Sequence, residues 1–114
     1  MVFTGNTAPY HITQPSTDND VQIVSPTATM ATLMCSLNVT ILSSMAIIWI
    51  HNNTNPISSN QVLRTGDTTT LLIENLQPSD AGIYQCSFLD SSGWRLRRNI
   101  RLLIAGIDIY KLCS

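Results

Sequence analysis

The stretch Asp80–Cys86 reads DAGIYQC. A turn-forming Asp-Ala-Gly runs straight into a tyrosine, skips one residue and lands on a cysteine. Successive side chains of an extended chain alternate between faces, so Tyr84 and Cys86 share one face and Gln85 takes the other. A cysteine set beside a tyrosine on one face calls for a partner elsewhere in the chain.

The chain has 114 residues, 44% of them apolar, which is the length of one domain and enough for a core. Only 11% are charged and the net charge is −1, so no strong overall field draws the chain to nucleic acid or to a membrane surface. Short runs rich in Ile, Val and Thr are punctuated by turn residues, which favours an all-β sandwich or barrel. The first residues, MVFTGNTAPY, lack a basic segment followed by an apolar one, so no leader is expected. The longest apolar run, Met45–Ile50, is far shorter than a bilayer span. The chain therefore reads as soluble, either a mature fragment or a piece of a longer parent.

Alternation assigns the strands. Thr29–Leu37 places Ala31, Leu33, Cys35 and Leu37 on one face. Ala46–Ile50 pairs Ile47 with Trp49, Thr68–Leu76 pairs Leu71 with Ile73, and Gly82–Leu89 groups Tyr84, Cys86 and Phe88. Asp90–Gly93 reads as a tight turn, and Trp94–Ile104 as a long returning strand. Two earlier segments end at Pro15 and Pro26, which suits edge strands. His51–Asn60 reads as loop or weak edge strand, and Gln77–Gly82 as a short helical turn. The expected organisation is a leading segment over 1–9, one domain over 10–104 and a tail or stem over 105–114.

The order Cys35, Trp49, Tyr84-x-Cys86, with Leu71, Ile73, Asp80 and Gly82 between, resembles the immunoglobulin superfamily. The resemblance covers the chain from about Tyr10 to Ile104. It implies a two-sheet antiparallel β-sandwich of Greek-key topology, with Cys35 and Cys86 joined between the sheets. Trp49 would pack on that bridge, the Tyr84 hydroxyl would return to upstream backbone, and Asp80 would bind backbone or pair with Arg64. The stretch from Trp49 to Cys86 is short for the extra strands of a full variable domain and is similar to the I-set. The last strand lacks the Gly-x-Gly bulge of antibody and T-cell-receptor domains. Sialic-acid-binding members carry an arginine on the preceding strand, and IYQCSFL has none.

Catalysis finds no constellation. His11 and His51 stand without an acid or nucleophile at motif spacing, and no phosphate loop or nucleophile elbow is present. Cysteines and histidines are too scattered for zinc, so no metal or other cofactor is expected. Two Asn-x-Thr sequons, at Asn38 and Asn52, together with the implied bridge favour the secretory route and an extracellular or cell-surface setting. The competing reading is an intracellular or matrix scaffold module, a structural spacer with reduced thiols. Cys113, past the last strand, is expected in a stem or as a thiol exposed by truncation.

Four of the six basic residues, Arg95, Arg97, Arg98 and Arg101, crowd the last strand behind Trp94. Alternation puts Arg95, Arg97 and Arg101 on one face, and Arg98 off pattern, where a bulge or splayed end is expected. These residues suit a contact with an acidic protein surface or an anionic glycan, or a solvated edge strand blunted by charge against aggregation. If Trp49 points inward, Ile48 and Ile50 point outward, with Gln85, Ser87 and Leu89 as neighbours. An apolar pair there suggests face-to-face pairing with a protein ligand, receptor or second copy, unless the following loop covers it. The sequence thus reads as a recognition module of receptor or adhesion type, acting through the final hairpin and one sheet face.

Overall fold

In a computed structural model, residues 8–106 are described. Eight strands form: β1 (Ile12–Gln14), β2 (Asp20–Val24), β3 (Met30–Leu37), β4 (Ala46–His51), β5 (Val62–Thr65), β6 (Thr68–Glu74), β7 (Gly82–Leu89) and β8 (Arg95–Ile104). They make two four-stranded sheets, in the orders β1-β3-β6-β5 and β2-β8-β7-β4. All pairings are antiparallel except β2 with β8, which is parallel. The chain leaves the first sheet after β1 and joins the second at β2, passing Pro15, which has no backbone N–H to extend a ladder. The all-β class read from the sequence pattern and the two-sheet sandwich implied by the resemblance are the observed fold, but β8 lies inside its sheet between β2 and β7, so the reading of the last strand as a solvated edge strand is corrected. Cys113 and most of the expected tail lie outside the described residues.

Period-two patterning builds the interior. In β3 the burial alternates strictly, with Ala31, Leu33, Cys35 and Leu37 inward. Opposite them, β6 turns Thr69, Leu71 and Ile73 inward. Trp49 from β4 and Cys86 with Phe88 from β7 complete a layer that water does not reach. Cys35 and Cys86 form a disulfide between the sheets across a Cα–Cα distance of 6.6 Å. Closing a loop with a sequence separation of 51 is worth about 4 kcal/mol in the chain-entropy model.

A buried tryptophan brings a polar N–H into an apolar layer, and that donor must be satisfied. The Trp49 indole donates to Thr69 Oγ1 at 3.2 Å, and the Thr69 hydroxyl donates to the Leu63 carbonyl at 3.1 Å. Thr69 thus passes the bond on to β5. Its inward position shares the parity of Leu71 and Ile73, which was the signal available for it in the sequence.

On β8 the expectation at Arg98 is corrected. Pairing with β7 runs without a break from Gly82↔Leu102 to Leu89↔Arg95, so no bulge forms. Arg98 keeps the strand's parity and faces inward opposite Cys86. Its long stem lets the guanidinium reach past the core, and Nη2 donates to the Ile12 carbonyl of β1 at 3.1 Å. An arginine at an inward position thereby ties β8 to the other sheet.

Replacing Thr69→Val keeps the shape and removes the acceptor for the Trp49 N–H. The expected outcome is a loss of about 1–3 kcal/mol, read as a lower guanidinium midpoint with an unchanged slope.

Candidate functional site

The outward face of β4, β7 and β8 collects most of the residues singled out in the sequence. Register defines its rows. Ala46, Leu89 and Arg95 lie side by side, as do Ile48, Ser87 and Arg97, and then Ile50, Gln85 and Asn99. Ile83 and Arg101 follow, with Val21 of β2 beyond them. The face grades from an apolar border on β4, through β7, where Gln85 and Ser87 lie between Ile83 and Leu89, to a cationic row on β8. The Gln85 amide donates to Asn99 Oδ1 at 3.2 Å, which bridges the middle row.

Arg95, Arg97 and Arg101 are exposed, and Trp94 beside them is half-buried. Ile48 and Ile50 point outward as alternation required, but both are half-buried rather than bare. The loop after β4 covers part of them. Ile57 N–H donates to the Trp49 carbonyl at 2.8 Å, Pro56 bridges to Ile50, and Pro56, Ile57 and Ile48 line one shallow depression. The apolar border is therefore narrower than the sequence suggested, because a segment without alternation folds back over it.

The end of β4 is shaped by two asparagines. Asn52 and Asn53 have φ of 52° and 58°, the left-handed region that asparagine tolerates better than most residues. In that turn Asn52 Oδ1 accepts the Ile83 N–H at 3.0 Å. The same amide packs against Gly82, whose φ is 129°, so closely that a Cβ there would lie 2.5 Å from Asn52 Oδ1. The glycine of DAGIYQC makes room for this contact. Both sequon asparagines are exposed. Asn38 follows β3 and its Oδ1 accepts the His11 N–H at 2.8 Å.

Around the tyrosine of the same stretch, Tyr84 donates its hydroxyl to the Asp80 carbonyl. Burial, then the Asp80 charge, pushes the Tyr84 phenol well above its ordinary range. The His51 ring stacks on Tyr84 with centroids 4.1 Å apart, and its Nε2 lies 3.0 Å from the Ala81 carbonyl oxygen. The pairing of Asp80 with Arg64 does not form. Asp80 Oδ2 accepts the Gln77 N–H at 2.7 Å and closes the short helical turn. Arg64 instead donates to the Leu42 carbonyl at 3.1 Å and the Met45 carbonyl at 2.8 Å. The carbonyls of the β3–β4 connection meet the guanidinium where it emerges from edge strand β5.

A contact missed in the sequence fixes the final hairpin. Tyr10 donates its hydroxyl to Asp90 Oδ2 at 2.6 Å, while Asp90 Oδ1 accepts the N–H groups of Ser92 and Trp94. Burial, the hydrogen bond and the Asp90 charge push the Tyr10 phenol up to about 12. The bond from Tyr10 first, with those backbone N–H groups, holds the Asp90 carboxyl below its usual value against a smaller desolvation effect. Among the described residues no group of His, Cys, Asp and Glu is placed to hold a metal ion, and no helix is long and apolar enough to cross a membrane.

The family profile of the immunoglobulin domain matches residues 21–97. The chain belongs to the immunoglobulin domain family. Among solved structures it is similar to titin domain M7, with a TM-score of 0.65 at 16% identity, covering 85% of this chain and 94% of that one. A chimeric titin Z1Z2 gives a TM-score of 0.66 at 22% identity, covering 85% and 95%. Such likenesses show the fold alone. A human protein described as probable oxidoreductase PXDNL is 44% identical over 48 residues, 41% of this chain and 3% of that protein. The chain thus spans a small fraction of that relative's length. Immunoglobulin domains serve as protein-interaction or structural modules, are typically non-catalytic, and occur in both extracellular and intracellular proteins.

Two outcomes are expected. Gly82→Ala forces a methyl group into the Asn52 amide at a φ that L residues rarely adopt, and should cost on the order of 1–3 kcal/mol by thermal unfolding. The Tyr10 phenol is raised in the fold, so its stabilisation is complete below about pH 10 and fades as pH rises toward 12. Asp90→Asn should lower the Tyr10 pKa, read from its ring resonances in an alkaline NMR titration.

Proposed function

We propose that this immunoglobulin domain is an extracellular or cell-surface recognition module that binds a protein partner through the outward face of β4, β7 and β8 and the adjoining hairpin. The observation that carries this reading is the graded face itself. A half-buried apolar border on β4, a central strand carrying Gln85 and the buried Ser87, and exposed arginines on β8 share one sheet face, and arginine and tryptophan are favoured anchors at interfaces. The Cys35–Cys86 bridge and two exposed sequon asparagines support passage through an oxidising compartment. The mechanism is passive: a stapled frame holds the face in one shape, so little ordering cost is incurred on contact. Partner classes are a protein ligand or receptor, including a second copy of the chain. A structural spacer role is compatible with the same fold.

The test is binding of the tetramerised domain to a panel of extracellular proteins, the domain itself included. Ile48→Asp is expected to weaken the interaction at least about tenfold, in line with a charge placed in an interface core. Met34→Asp, on the outward face of the other sheet, should leave it unchanged. Equal loss from both variants, or no partner at all, would favour the spacer.

A further inference from the structure

We infer that the partner of this face presents an extended acidic polypeptide segment, which lies along β8 and pairs its carboxylates with Arg95, Arg97 and Arg101. This deepens the recognition reading and rests on it. The inference starts from where the cations of the domain are engaged. Arg64 and Arg98 donate to main-chain carbonyls. The three remaining arginines among the described residues are exposed on one face of one strand, and their guanidinium groups make no hydrogen bond or ion pair with another described residue.

Several carboxylates of the domain are engaged elsewhere. Asp90 is held by Tyr10 and the hairpin N–H groups, Asp80 by Gln77, and Asp67 by the Thr68 hydroxyl. Asp18 sits beside β8, where its Oδ1 accepts the Asn99 N–H at 2.7 Å. The row is thus a set of three unneutralised guanidinium groups on a rigid ladder, each able to donate to a carboxylate bidentately.

Spacing selects the shape of the ligand. Side chains two apart on a strand repeat at about 6.6–6.8 Å, and those four apart at about twice that. Arg95 and Arg97 are two apart and Arg97 and Arg101 four apart, with Asn99 at the position between. A second extended chain repeats its own side chains at the same interval. Carboxylates at positions i, i+2 and i+6 of such a segment therefore meet all three arginines without distortion. Leu89 and Ile83 of β7, the half-buried register partners of Arg95 and Arg101, favour polypeptide over a sulfated polysaccharide, because they offer apolar contact to side chains that a sugar polymer lacks.

The experiment uses the intact chain and three probes: a peptide of alternating Glu and Thr, its Gln and Thr counterpart, and heparin. Fluorescence anisotropy is expected to show binding of the Glu peptide but not of the Gln peptide. Raising salt from about 0.01 to 0.15 M cuts the screening length from about 30 to 8 Å, and the affinity should fall about tenfold or more. The R95Q/R97Q/R101Q variant, checked for an unchanged melting temperature, should lose at least about tenfold in affinity for the Glu peptide. Absence of Glu-peptide binding at low salt, or binding unchanged in the triple variant, would overturn the inference. Tight binding of heparin with none of the Glu peptide would overturn it too and assign the row to polyanionic glycan. If Ile48→Asp abolishes partner binding while the triple variant does not, the recognition reading stands and this inference alone fails.

Discussion

Everything in this domain depends on the junction of the two sheets at Cys35, Cys86 and Trp49. The disulfide fixes the distance between the sheets at one point, and the indole fills the space next to it. A bridge alone would leave the strands free to rotate about it. The Trp49–Thr69–Leu63 chain of hydrogen bonds adds a second, directional tie from β4 through β6 to β5. An apolar layer is thereby given a unique alignment, because the polar hydrogen has only one place to go.

That alignment is what makes the outer face of β4, β7 and β8 a defined surface. Trp49 and Cys86 are register partners, so pinning them inward forces Ile48, Ile50, Gln85 and Ser87 outward. The unbroken β7–β8 ladder carries the same parity across to the arginine row. Sheet geometry, rather than local preference, presents three like charges side by side. Their mutual repulsion is tolerated because each guanidinium remains in water.

Much of this was legible in the sequence because strand parity is local. The inward set of β3 and the Tyr84-x-Cys86 pair follow from counting by twos. Other features were legible in part or not at all, each for a separate reason. Arg98 was taken as a break in the pattern because it is charged, whereas a long apolar stem allows an arginine to hold an inward position and reach a carbonyl at the far sheet. The partner of Arg64 depends on where the β3–β4 connection passes, and no spacing rule encodes that. Cover of Ile48 and Ile50 by the following loop was one of the two readings open in the sequence, but that Pro56 and Ile57 supply it comes from a segment with no periodicity to read.

The parallel pairing of β2 with β8 has a mechanical consequence. Because the two strands run in the same direction, the described chain enters near the β7–β8 turn, where Tyr10 meets Asp90, and leaves past Ile104 at the opposite pole. A tension applied between those poles acts along the strands, so the five register pairs from Asp20↔Ile100 to Val24↔Ile104 would bear it together in shear. Peeling them apart one at a time would need a force across the strands instead. The same zipper that closes the sheet therefore resists lengthwise pulling far better than it resists a sideways one.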